Sequence, residues 1–198
     1  MRADDIDDVP GAASALAEHL ELAGRMEPLL PAVERAGDLL VETLGRGGRI
    51  YTFGNGGSSV DAQHFAEELV GRYKRERRPL PAQSLAVDSA ALTCIANDYS
   101  FDEVFERQVR GFVRDGDAVL AFSTSGRSPN VVRGLAAARE LGAATVLLAG
   151  GDGGPAAAHA DHALVVPSAT TARVQEMHVL LLHVLIERID AWAAGEAS

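Results

Sequence analysis

Five short apolar runs, residues 49–53, 84–87, 118–122, 145–149 and 163–166, alternate with longer stretches of helical spacing, and the alternation leaves few architectures open. The runs are continuous rather than alternately polar, as expected of strands covered on both faces. The stretches between them, about 58–72, 102–113, 128–141 and 171–194, read as helices. Strand and helix in turn predict an α/β chain built on a parallel sheet. Ahead of the first strand, Leu16, Leu20, Ala23, Leu29, Leu30, Val33 and Leu40 fall at roughly helical intervals. Pro28 and Pro31 divide that segment into two helices. No repeat or linker splits the 198 residues, so one domain spanning 1–198 is expected, large enough to bury a real core.

The last helix is apolar nearly all round from Val179 to Ile186, interrupted only by His183. Such a helix is buried on more than one side, and a second copy of the chain can supply the second cover. The formal net charge of −10 disfavours nucleic acid or an anionic membrane surface as a partner. No stretch reaches the roughly 20 apolar residues that span a bilayer. Met1–Pro10 is acidic and lacks the order of a secretory signal, which makes the cytoplasm the expected location. A single cysteine, Cys94, rules out an internal disulfide. It lies in the apolar run 90–96 and reads as a small buried hydrophobe.

Two of the predicted strands run into loops suited to an anion. After residues 49–53 comes Gly54-Asn55-Gly56-Gly57-Ser58, a strand-to-helix turn that exposes backbone N–H groups at the positive end of a helix. Alone it says little, since any such turn uses glycine. The second loop, Ser123-Thr124-Ser125-Gly126-Arg127-Ser128, puts four hydroxyls within six positions at a strand's carboxyl end. An ordinary N-cap needs one. Four point to a phosphate held where open parallel sheets place their ligands. Arg127 can neutralise the anion or simply be solvated.

These loops, with Asp61-Ala-Gln-His-Phe-Ala-Glu-Glu68, Ala96-Asn-Asp98, Arg173-Val-Gln-Glu-Met-His178 and His183, resemble the phosphoheptose isomerases, which are sugar-isomerase (SIS) domain proteins. The resemblance implies a SIS fold, with a flavodoxin-like five-stranded parallel sheet, N-terminal helices (1–45) used in oligomer packing and a long C-terminal helix. It implies a homotetramer with active sites near subunit boundaries and one zinc per subunit. The family's zinc positions fall on His64, Glu68, Gln175 and His183. Its substrate contacts fall on Asn55, Gly56, Gly57, Asn97, Asp98, Ser123, Thr124, Ser125, Ser128 and Gln175, with Ser58 and Glu68 beside them. The implied reaction converts D-sedoheptulose 7-phosphate to D-glycero-D-manno-heptose 7-phosphate. Some family relatives bind the bacterial replication initiator instead and lack the zinc and acid–base set; others act on or sense a different phosphosugar. Ala172 stands where many members carry an acidic residue.

Part of this is legible without the resemblance. His64 and Glu68 are four apart and share a helix face. His183, alone in an apolar run, needs a partner when buried, and without the resemblance it reads as a satisfied core histidine. Mixed nitrogen and oxygen donors suit zinc. Spacing favours Glu176, seven residues before His183, as a rival to Gln175; only the resemblance selects Gln175. His19, His159, His162 and His178 have no such company and read as structural or solvated. The aldose–ketose interconversion that the resemblance implies needs a base and an acid, and on that resemblance Glu68 is expected as base and His183 as acid.

Overall fold

The computed structural model describes residues 11–195; Met1–Pro10 and the last three residues lie outside the described residues. Five strands, β1 (Ile50–Gly54), β2 (Ala82–Ser84), β3 (Ala118–Ser123), β4 (Ala144–Gly150) and β5 (His162–Val166), form one sheet in the order β2-β1-β3-β4-β5. Every pairing is parallel. This is the flavodoxin-like order, in which the chain leaves β1 toward one edge and returns to β3 on the other side. The register pairs Gly54 with Phe122, so β1 and β3 end level and deliver their loops side by side.

Alternation along the strands divides the core in two. Ile50, Ala118, Leu120, Phe122, Val146 and Leu148 face the helices α2 (Leu30–Gly45), α3 (Gly57–Val70) and α7 (Thr171–Ala193). Tyr51, Phe53, Val119, Ala121 and Leu147 face α5 (Val104–Phe112) and α6 (Pro129–Glu140). Both faces are dry, which is why the central runs are apolar throughout. The first helix, α1 (Ala12–Gly24), ends before a 3-10 turn at Glu27–Leu29 that contains Pro28. Pro31 lies in the first turn of α2, where its missing N–H costs nothing, so it opens that helix.

Three expectations need correction. The second strand is Ala82–Ser84, not 84–87. It pairs Ile50 with Ala82 through Thr52 with Ser84, and Leu85 donates one further bond to Thr52 O before the chain turns. An edge strand has a half-open side and needs no apolar run, so Gln83 and Ser84 concealed it. Residues 89–98 form a further helix, α4 (Ser89–Asp98), capped by Asp88, whose carboxylate accepts from Ala91 N. None of its residues is buried, and Cys94 is exposed with its thiol directed at Asp98. The apolar run came from a rim helix, not from the core.

Along α7, Val174, Met177, Leu181, Leu182, Leu185, Ile186 and Ile189 are buried, while Leu180 and Val184 keep 45% and 37% of their surface exposed. The described chain therefore leaves part of this apolar helix uncovered. Asp190 is fully buried near its end. Two buried-side bonds hold it there: its Oδ1 accepts from Arg77 Nε at 3.0 Å and its Oδ2 from Arg75 N at 3.0 Å. No described helix is long and apolar enough to cross a membrane.

His178 is fully buried behind Phe122, and neither ring nitrogen has a hydrogen-bond partner among the described residues. Burial lowers its pKa from 6.5 to about 4. Between those values the unfolded chain takes up a proton that the folded chain refuses. Its contribution to stability is thus intact above pH 6.5 and is lost as the pH falls through about 4. Urea midpoints measured with chelator present should decline more steeply from pH 6.5 downward for the wild type than for His178→Leu. Parallel declines would show that His178 is not the group responsible.

Candidate active site

The two loops meet at the switch point between β1 and β3. Gly54 ends β1 where a Cβ would lie 2.6 Å from Ser58 O and 2.8 Å from Phe122 O, so no larger residue fits. The chain passes Asn55 and Gly56, whose φ is +54°, into α3. In the second loop Gly126, at φ +61°, packs against the carbonyl of Gly153 and has no room for a side chain. That contact seats residues 123–128 on the loop after β4. Gly126 N donates to Ser123 Oγ at 3.1 Å, and Arg127 N donates to Ser125 Oγ at 3.2 Å.

Neither helix that starts here has a side-chain cap: Gly56 precedes α3 and Ser128 precedes α6 without such a bond. Ser128 Oγ is therefore not spent as an N-cap, and the positive ends of α3 and α6 both open at the loop pair, a setting that favours an anion. Asn55, Ser58, Ser123, Thr124, Ser125 and Ser128 line a cavity of about 80 Å³ with Phe122 at its floor. That is a space for a small anionic group, about the share of two or three waters. Arg127 is turned outward to Asp152, 2.6 Å away. Asn97 and Asp98 stand at the exposed end of α4, hydrogen-bonded to each other and outside the cavity lining.

The second cluster joins α3 to α7. His64, Glu68 and His183 offer ligand atoms that all lie within 4.8 Å of one another. His64 Nε2 is 3.5 Å from Glu68 Oε1. The rings of His64 and His183 meet edge-on at 5.0 Å, with Tyr73 stacked on His183. Two imidazoles and a carboxylate, half-buried and convergent, fit a zinc-type donor set with room for further ligands. Gln175 lies two turns before His183 and packs its amide against Gly57, in contact with the first loop.

Glu176, the rival by spacing, faces the other way. It accepts from His19 Nδ1 at 2.8 Å and pairs with Arg173 Nη2 at 2.7 Å. His19, which the sequence left without company, thus ties α1 to α7.

Sequence reasoning missed Arg77 and Asp61 as well. Arg77, whose side chain is 1% exposed, donates through Nη2 to Glu68 O at 2.7 Å and through Nη1 to Leu69 O at 2.9 Å. It caps α3 where Glu68 sits and bolts that end to Asp190. Asp61, one turn before His64, has a buried Oδ2 with no hydrogen-bond partner among the described residues. Burial raises its carboxyl to about 6, against the pull of His64. A basic run at 72–78 and the Asp-x-x-His spacing were the available signals, and neither names a partner.

A parallel sheet of this order places its ligands at the switch point, and here that point carries a glycine-rich loop beside a hydroxyl-rich one. The family model described as SIS domain matches residues 12–150, and the chain belongs to the SIS-domain family. Within it, the chain is similar to phosphoheptose isomerases. It is 46% identical to that of Helicobacter hepaticus over 173 residues, 87% of this chain and 88% of the relative. It is 49% identical to that of Aliarcobacter butzleri over 175 residues, 88% and 93% of the two chains. Among solved structures, phosphoheptose isomerase GmhA from Neisseria gonorrhoeae superposes with a TM-score of 0.86 at 42% identity, over 90% of this chain and 96% of that one. The phosphoheptose isomerase from Francisella tularensis gives 0.88 at 34% identity, over 96% and 99%. The chain is a phosphosugar isomerase.

Proposed function

We propose that this enzyme interconverts D-sedoheptulose 7-phosphate and D-glycero-D-manno-heptose 7-phosphate through an enediol. The observation that carries the reading is the convergence of His64, Glu68 and His183 on the helices that also reach the phosphate loops. At 1.5 Å per residue, His64 stands roughly 10 Å along α3 from Gly57. That separation suits a sugar with its phosphate and its reactive carbons at opposite ends. The names and identities of the relatives support the seven-carbon substrate.

Ser58, Ser123, Thr124, Ser125 and Ser128, with the amides of Gly56 and Gly57, bind the phosphate and fix the sugar's register. Asn55, Asn97, Asp98 and Gln175 complete the substrate contacts, the α4 pair by way of a neighbouring subunit. Glu68 removes the proton from the carbon next to the carbonyl, and His183 gives a proton to the carbonyl oxygen, which yields the enediol. Returning the proton to the adjacent carbon and releasing one from the other oxygen completes the isomerisation. His64, Glu68, Gln175 and His183 would hold one zinc per subunit, which when bound orients the sugar oxygens or polarises the carbonyl. Ala172 contributes no carboxylate, so ring opening is not assigned to that position.

The assembly we infer is a homotetramer, with residues 1–45 and the exposed Leu16, Leu20, Leu180 and Val184 in its contacts. The cytoplasm is the proposed location, and neither nucleic acid nor membrane is a partner. A relative that only binds the replication initiator has no need of a convergent acid–base set, so catalysis is the favoured reading.

Incubation with sedoheptulose 7-phosphate, followed by NMR, should show the aldose growing in, with metal near one equivalent per chain. Stripping the metal with chelator should abolish the conversion. Stoichiometric zinc with no turnover of any ketose phosphate would instead establish a binding role.

A further inference from the structure

We propose that Asn130, a residue outside the substrate and metal sets, is a positioning residue that locks the two phosphate loops at one spacing. It lies in the first turn of α6 and is 1% exposed. Its Nδ2 donates to Asn55 Oδ1 at 2.9 Å, and its Oδ1 accepts from Asn55 Nδ2 at 2.8 Å. The same Oδ1 also accepts from Val131 N at 2.9 Å, which fixes the orientation of the amide. The two side chains form a closed amide pair. Among the described residues it is the only side-chain hydrogen bonding between the loop after β1 and the loop after β3.

Two loops that grip one anion must hold their donors at a fixed separation, since a shift of a few tenths of an ångström weakens every bond at once. Gly54 brings the end of β1 against Phe122, and the residues beyond need a tie of their own. The amide pair supplies that tie. It also commits half of the Asn55 amide, since one carbonyl lone pair and one Nδ2 hydrogen are used by Asn130, and the second hydrogen is the side-chain donor left for a substrate. Only an amide both donates and accepts here. An alanine leaves Asn55 without its partner, and a carboxylate of the same shape sets oxygen against Asn55 Oδ1 and brings negative charge to an anion site.

The inference rests on the phosphate reading of the loops, and one set of measurements separates the two. Metal-loaded wild type, Asn130→Ala, Asn130→Asp, Asn55→Ala and the Asn55→Ala/Asn130→Ala double variant are titrated with inorganic phosphate and assayed on sedoheptulose 7-phosphate. Asn130→Ala should weaken phosphate and raise KM by about tenfold, with kcat and metal content close to wild type. Asn130→Asp, which keeps the side-chain volume, should weaken phosphate further. The double variant should bind no worse than Asn55→Ala alone, because both single changes break the same pair. Wild-type phosphate affinity in soluble, metal-loaded Asn130→Asp overturns the proposal, as do additive losses in the double variant. Wild type that fails to bind phosphate overturns the loop reading, and the proposal with it. Wild type that binds phosphate but does not turn over the heptulose overturns only the choice of substrate.

Discussion

Glu68→Gln should lower kcat on sedoheptulose 7-phosphate by about 10²- to 10⁴-fold, the usual worth of a positioned general base. Glutamine keeps the length of the side chain and one carbonyl oxygen, so the fold of α3 and its packing on α7 should survive. In the proposed mechanism, what it loses is the capacity to take a proton from carbon. Inorganic phosphate, which the proposed scheme places at the opposite end of the site, should bind Glu68→Gln as it binds the wild type. In heavy water the variant should also lose deuterium wash-in at the substrate carbon, which separates proton abstraction from later steps. Near-normal turnover or wash-in would remove Glu68 from the base role. A metal content that falls with activity would show that its part is chiefly as a ligand.

Arg77→Met should cost about 3–5 kcal/mol of stability, the range for removing one partner of a buried ion pair. Asp190 is fully buried and would lose the nearer of its two guanidinium partners, retaining the bonds from Arg75 N and, at 3.5 Å, Arg75 Nη1. The carbonyls of Glu68 and Leu69 would lose their cap at the same time. Urea unfolding reads the loss directly. Replacing both partners, as Arg77→Met with Asp190→Leu, should recover much of it, because no unpaired charge then remains in the core. Equal or greater loss in the double variant would mean that the carbonyl cap, not the ion pair, dominates. A milder single-variant loss, under about 1 kcal/mol, would place Arg77 with ordinary surface ion pairs.

How much of this the sequence disclosed depended on distance along the chain. The four strands β1, β3, β4 and β5 were legible because each carries a run buried on at least one face over five or more residues. β2 was misplaced because it is a three-residue edge strand whose pairing is carried by backbone rather than by apolar side chains. α4 was missed because nothing in it is buried, so its apolar letters carried no periodic signal. His64 and Glu68 were visible as neighbours one turn apart, and His183 as an oddity in an apolar run. The Asn55–Asn130 pair spans 75 residues and the Arg77–Asp190 pair spans 113, and no local pattern announces a partner so far away. The same holds for His19, whose carboxylate partner lies on the last helix.

α3 opens at one phosphate loop and carries His64 and Glu68 on its later turns. A helix is stiff over this length, so thermal shifts of α3 carry the proposed anion grip and the proposed acid–base end together, as a single body. α7 behaves alike on the facing wall, with Gln175 against Gly57 and His183 further on. On the proposed reading, the distance from grip to chemistry is therefore a constant of each wall rather than something the substrate must organise on arrival. What binding can still adjust is the gap between the walls. At the Glu68 end, Arg77 and Asp190 already hold that gap shut.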